Sequence, residues 1–210
     1  MQNAIATLAD AGFDLVHAFD AGAIARAPGL AWVADGEAAQ LGLLVGNTRA
    51  LWPHFVAAMR DPALAAEADP LDRYTERAID RAIASERWSD ARVRHAHAQY
   101  DGAFLPFQQL AVATGLGAWA PSRLVIHPVY GPWFALRSLI VVAGAPVARA
   151  PIAKPCACAE ACDVALRAAL ADNHWRKWLA VRDACALRSW RYGDDQIVYH
   201  YTKRWPTDRD

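Results

Sequence analysis

The longest apolar stretch of the chain, Leu139 to Val147 (LIVVAGAPV), contains Gly144 and Pro146. It falls far short of the roughly 20 residues a membrane-spanning helix needs. The run that leads into it, Trp133 to Val142 (WFALRSLIVV), reads instead as a strand of a buried sheet, with Arg137 set inside it. Strand and helix signals alternate before it. A short amphipathic helix precedes a strand over Leu15 to Phe19, Leu30 to Ala34 is a second strand and Gln40 to Val45 (QLGLLV) a buried one. Gly46-Asn47-Thr48 caps a helix carrying Leu51, Trp52, Phe55 and Met59, the spacing of one buried face.

Asp69-Pro70 opens a further helix holding Tyr74, Ile79 and Ile83, because proline suits a first helical turn. Ala91 to Gln99 alternates as a half-exposed strand, and Phe107 to Thr114 is helical. Arg123 to Ile126 and Trp133 to Val142 form two strands joined by the turn His127-Pro128-Val129-Tyr130-Gly131-Pro132. Three prolines between Ala145 and Cys156 mark a seam, after which the chain is mostly helical, from Glu160 to Asp172 and from Asn173 to Ala186. The expected fold class is α+β, with residues 1–150 as a core and 151–210 as a helical C-terminal cap.

The chain has 210 residues, 22 Lys+Arg against 22 Asp+Glu, 21% charged and 55% hydrophobic residues. That balance excludes intrinsic disorder and argues against holding nucleic acid or an anionic membrane by bulk charge. The opening MQNAIATLADAGFD lacks the basic start of a signal peptide, so a cytoplasmic protein without membrane partners is expected. Six of its nine tryptophans (119, 133, 175, 178, 190 and 205) lie in the C-terminal half. Each alone reads as core; together they lean toward an aromatic-lined cavity.

Generic catalytic motifs are absent: no Gly-x-Ser-x-Gly, P-loop or Gly-x-Gly-x-x-Gly occurs. Cys156, Cys158 and Cys162, with Cys185 as a possible fourth ligand, are dense enough for a metal or iron–sulfur site, yet their spacing fits neither a zinc knuckle nor a ribbon, so no metal is expected. His95 and His97 share a strand face and could take a metal or be solvated, while His127 orders its turn. Two arginines are better placed. Alternation sets Arg137 beside Trp133 and Ala135, and Arg182 follows Trp175, Trp178 and Leu179 at helical spacing. Each either pairs with an internal carboxylate or holds the carboxylate of a ligand.

Ile126-His-Pro-Val-Tyr-Gly-Pro-Trp133-Phe-Ala-Leu-Arg137 resembles the I-H-P-x-[FY]-G-x-W-F-x-[IL]-R segment of the cobalamin-processing proteins of the methylmalonic aciduria and homocystinuria type C family. His174-Trp-Arg-Lys-Trp178 through Arg182-Asp183-Ala184 is similar to that family's H-W-R-x-W…R-D-A segment, and Arg191-Tyr192, Gln196 and Tyr199 to the stretch beyond it. Asp69-Pro-Leu-Asp72 and Ala11-Gly-Phe-Asp14 are weaker echoes in the right order. More loosely, the same turn resembles the cobalamin domain of epoxyqueuosine reductase and reductive dehalogenases.

The family resemblance implies a modified flavin-dependent nitroreductase fold with a helical cap. It implies base-off cobalamin, and removal of the upper ligand by alkyl transfer to glutathione thiolate or by reductive decyanation with reduced FMN or FAD. It places Phe107, Gln108, Gln109, Leu110, Val125, Trp133 and Leu136 against cobalamin and Arg137 and Arg182 on glutathione. Better-known members carry a histidine on the helix around Thr114 that this chain lacks. A cobalamin carrier without efficient chemistry and a flavin reductase on the same fold are the alternatives, and a homodimer is possible.

Overall fold

A computed structural model of the chain describes residues 1–34, 40–148, 152, 156 and 161–205. Helix α1 (Gln2–Asp10) buries Ala4 and Leu8, and β1 (Leu15–Asp20) follows as expected. Asp20 then starts α2 (Ala21–Ala25) by accepting the Ala23 N–H at 2.8 Å. The strand expected at Leu30 to Ala34 is instead a 3-10 turn over Ala31–Val33. Its two fully covered residues, Leu30 and Val33, stand three apart, the period of that turn and not of a strand. The Trp32 indole also ties back to the Gly29 carbonyl at 3.1 Å.

Strand β2 (Gln40–Asn47) is buried at every position after Gln40, two residues longer than the expected strand. Helix α3 (Leu51–Ala58) therefore starts beyond Asn47, and Thr48 Oγ1 accepts from the Ala50 N–H just ahead of it. A short α4 (Pro62–Ala65) precedes α5 (Pro70–Glu86), whose buried face includes Tyr74, Ala78 and Ile79 and packs on α1. The strand expected over Ala91 to Gln99 ends early, as β3 (Arg92–His95), because Ala98 N–H turns back to the His95 carbonyl. β4 (Gln99–Tyr100) and β5 (Ala103–Phe104) form a hairpin through Asp101 and Gly102, both at positive φ. Helix α6 (Phe107–Ala113) agrees with its sequence pattern.

β6 (Ala118–Trp119) pairs with β7 (Val125–Ile126), whereas β8 (Ala135–Ala143) joins the main sheet. The hairpin expected between the segments at 123–126 and 133–142 does not form. His127 and Gly131 bond to each other through both backbone groups and close the turn on itself. Gly131 (φ 59) lies so close to the Leu187 carbonyl that a Cβ there would collide with it. Trp133 and Phe134 precede the strand and are not part of it. The main sheet runs β1-β2-β8-β3, antiparallel throughout. After residue 160 come α7 (Ala161–Asp172), α8 (Trp175–Asp183) and α9 (Asp194–Thr202); α9 was not anticipated, although two aspartates in its first turn favour a helix start.

Backbone contacts divide the chain into two compact units. One is Met1–Gly115 with Ala135–Pro151 and holds the main sheet with α1 to α6; the other is Leu116–Phe134 with Ile152–Asp210. The architecture is α+β, as the sequence indicates. Among the described residues no helix is long and apolar enough to cross a membrane.

Candidate functional site

In the first unit, β8 carries a bulge at the position of greatest interest. Val45 of β2 faces Ser138 and Gly46 faces Leu136, so Arg137 is the extra residue between two paired ones. Gly46 permits the close approach, since a Cβ there would lie 2.5 Å from the Ala135 carbonyl oxygen. The bulge lets the half-buried Arg137 side chain reach Asn47, donating from Nε to Oδ1 at 2.8 Å. Asn47 is fully buried and its Nδ2 donates to the Thr48 carbonyl at 2.9 Å. Thr48 in turn donates from its backbone N–H to Asp14 Oδ1 at 2.7 Å and from its hydroxyl to Asp14 Oδ2. On the backbone side, the Arg137 carbonyl accepts from Ala96 N–H at 2.8 Å. Sequence reasoning missed Asn47, although a lone amide at the end of the apolar run QLGLLVGN is the kind of signal that marks a buried polar contact.

The residues named around α6 divide by their faces. Phe107 and Leu110 belong to the core, and Phe107 lies 5.7 Å from Trp32 ring to ring. Gln108 and Gln109 are exposed, with Gln109 donating to the Pro28 carbonyl at 2.8 Å. Leu136 is half-buried and Val125, in the second unit, is buried. A histidine does reach the end of α6, but from β1: His17 Nε2 lies 2.9 Å from the Thr114 carbonyl oxygen.

His95 and His97 no longer share a strand face, because the strand ends at His95; their rings stack at 5.0 Å. His95 Nδ1 lies 2.9 Å from Ser138 Oγ, and His97 Nε2 lies 3.2 Å from Glu76. Burial, then the neighbouring His97 charge, lowers the His95 pKa below its ordinary value.

In the second unit, Trp133 is fully buried and packs with Tyr192 and Ile197, while Trp175, Leu179, Trp190 and Tyr201 close around them. Arg182 projects from α8 into this group, its guanidinium carbon 5.8 Å from the Trp133 ring and 5.8 Å from the Tyr201 ring. That agrees with the side assigned to it by helical spacing. Its Nη1 is buried and has no hydrogen-bond partner among the described residues, and the same is true of Trp133 Nε1. Buried donors left unpaired are rare in folded proteins. The neighbouring Arg191 contrasts with Arg182: it donates to Asp183 at 2.8 Å and to Asp194 at 3.0 Å. Burial, opposed by the Arg182 charge, raises the Tyr201 pKa.

His127 orders its turn as expected, its Nδ1 accepting the N–H groups of Val129 at 3.1 Å and Tyr130 at 3.3 Å. Cys156 is half-buried, Cys162 and Cys185 are buried, and Cys158 lies outside the described residues. Among the described residues no group of three or more His, Cys, Asp or Glu side chains is arranged to hold a metal ion.

No family model matches the chain. Two curated proteins named cyanocobalamin reductase / alkylcobalamin dealkylase do. The human one is 37% identical over 84 residues, 39% of this chain and 28% of the relative. The bovine one is 36% identical over 80 residues, 37% of this chain and 27% of the relative. The match thus spans little more than a quarter of the length of those relatives. Among solved structures, a C. elegans B12-trafficking protein, CblC, described as a human MMACHC homologue, superposes with a TM-score of 0.71 at 15% identity, covering 95% of this chain and 89% of that one. The chain therefore has the fold of that B12-trafficking protein, and its resemblance to the cobalamin-processing family is borne out in both sequence and fold.

Proposed function

We propose that this protein binds cobalamin in its base-off form and removes the upper axial ligand, using a thiol such as glutathione as cosubstrate. The observation that carries the reading is Arg182. Among the described residues, the guanidinium set against Trp133 and Tyr201, with its buried, unpartnered Nη1, lacks the carboxylate that a purely structural arginine would have. A ligand carboxylate supplies the acceptor, and glutathione carries two. Trp133 Nε1, also buried and unpartnered, is a second donor of the same unit. The names of the curated relatives and of the structural match support cobalamin as the substrate.

In the thiol reaction a sulfur–carbon bond forms as the cobalt–carbon bond breaks, and the electron pair of the broken bond stays on cobalt. Arg182 binds a carboxylate of the thiol and so orients its sulfur toward the alkyl group; the family resemblance gives Arg137, in the first unit, the same kind of role. Neither arginine takes part in bond making. Gln108 and Gln109, exposed on α6, and Leu136, half-buried on β8, are the named cobalamin contacts of the first unit that remain accessible to a ligand; Phe107 and Leu110, buried in the same unit, would act by shaping the wall behind them.

The test is an anaerobic absorbance titration with methylcobalamin and cyanocobalamin, followed by glutathione. The expected result is a blue shift of the visible band on binding, then conversion of methylcobalamin when thiol is added. A shift without conversion would make the protein a carrier, and no shift would end the cobalamin reading.

A further inference from the structure

We propose that Asn47 is a positioning residue that aims Arg137 at an anionic group of the thiol cosubstrate; this rests on the thiol-binding reading above. The guanidinium Nε sits inside the side chain, so a bond there fixes the plane of the whole group. Asn47 Oδ1 makes that bond at 2.8 Å. The amide itself cannot swing: it is fully buried, and its Nδ2 is bound to the Thr48 carbonyl while Thr48 is bound twice to Asp14. The chain Asp14–Thr48–Asn47–Arg137 thus connects the turn after α1, the end of β2 and the bulge of β8. It also gives Asp14, a weak motif residue with no other role, a place in the site.

The chemical identity of the acceptor matters as much as its position. A carboxylate at residue 47 could still accept from Nε, but it would add a negative charge beside the guanidinium and lose the donor that Nδ2 gives the Thr48 carbonyl. A neutral amide orients the group without adding a negative charge beside it. The bulge is what makes the contact possible, since it takes Arg137 out of register with β2. Asn47 touches neither cobalamin nor thiol in this account and acts only through Arg137.

The experiment compares glutathione with 2-mercaptoethanol, a thiol without carboxylates, in dealkylation of methylcobalamin by the full chain. Asn47→Asp is expected to raise the glutathione KM about tenfold, the scale of one charge-assisted hydrogen bond. The 2-mercaptoethanol rate, kcat at saturating glutathione and the methylcobalamin Kd are expected to stay within about twofold. Asn47→Ser, which loses the bond without adding charge, is expected to shift the same ratio by a smaller factor. Arg137→Lys leaves residue 47 untouched but cannot present Nε–H, and it should match Asn47→Ser. An equal fall with both thiols would mean a merely structural role and overturn the proposal, as would full glutathione preference in Arg137→Lys. Arg137→Ala separates the two levels of the argument. If it leaves glutathione KM unchanged, the thiol-binding reading of Arg137 fails; if it raises KM while the Asn47 variants do not, only the role of Asn47 fails.

Discussion

Arg137 and Arg182 carry the same charge and are held in opposite ways. Arg137 stands in a bulged sheet, its Nε fixed by a buried amide and its backbone carbonyl by Ala96. Arg182 lies on a helix among aromatic faces, with a buried Nη1 that finds no hydrogen-bond partner among the described residues. The first arrangement stabilises the fold whether or not a ligand is bound. The second costs stability until an acceptor arrives, because a buried donor has given up water without replacement. One arginine is pre-aimed and the other is left wanting, and that difference should be measurable in stability and in activity separately.

The largest expected effect is on Arg182→Met. Glutathione-dependent dealkylation should lose about a hundredfold in kcat/KM, the scale of a buried charge-assisted contact. Stability should be unchanged or higher, since a flexible apolar side chain suits the aromatic surroundings. Arg137→Met should instead lower stability by about 1–3 kcal/mol, because it leaves the buried Asn47 Oδ1 without its donor. Denaturant midpoints of the two variants, measured beside their kinetics, decide the matter. If Arg182→Met proved the less stable of the two, the contrast drawn here would be wrong.

The bulge is the next point at which to press. Gly46→Ala would place a Cβ 2.5 Å from the Ala135 carbonyl oxygen, and both sit in backbone that cannot shift independently. A loss of about 1–3 kcal/mol is expected. The glutathione KM should rise as Arg137 leaves Asn47, whereas 2-mercaptoethanol should be unaffected. A stable Gly46→Ala protein with an unchanged glutathione KM would show that the bulge does not aim Arg137.

Much of this was legible in the sequence, and the failures share one cause. Helices α1, α5 and α6 and strands β1 and β2 follow local periodicity. The side of α8 that bears Arg182 could be read from residues three and four apart. Leu30 to Ala34 misled because five apolar residues in a row fit a strand and a 3-10 turn equally, and only the full burial of Leu30 and Val33 beside an exposed Ala31 distinguishes them. The supposed hairpin of 123–126 with 133–142 failed because partner choice is not local: β7 finds β6 and β8 finds β2 and β3. Arg137 does lie in a strand of the main sheet, but its expected alternation with Trp133 fails, since Trp133 lies before the strand and a bulge interrupts the pattern. Asn47 was invisible for the same reason, as its importance arises from a contact 90 residues away.

Trp133→Phe tests the second region more gently. It keeps a ring opposite Tyr192, now 5.6 Å away, but removes the unpartnered Nε1–H. Lost packing should cost about 1–2 kcal/mol, partly offset because no buried donor remains. If Nε1 donates to the thiol cosubstrate, glutathione KM should rise by roughly threefold to tenfold, a single neutral hydrogen bond, with 2-mercaptoethanol unchanged. Equal losses with the two thiols would assign Trp133 to packing alone and leave Arg182 as the donor of that region.

The smallest effect concerns acid. His95 is held below its ordinary pKa of 6.5, first by burial and then by the His97 charge. The folded protein therefore binds fewer protons than the unfolded chain just below pH 6.5, and stability falls as pH drops from there toward the folded pKa. Glu76 acts in a lower window. Burial alone would raise its pKa, but bonds from Arg73 and His97 outweigh that and hold it below 4.5, so its contribution is present above that pH and lost as pH falls through the folded value. His95→Gln should remove the upper window and flatten stability between pH 7 and pH 5.5, a difference of about 1 kcal/mol or less. Because the Ala96 N–H next to His95 holds the Arg137 carbonyl, wild type should also lose glutathione affinity at pH 5.5 more than His95→Gln does. Comparing the two proteins at one pH cancels the ionisation of the thiol itself. Equal losses in both would confine the histidine pair to stability and uncouple it from Arg137.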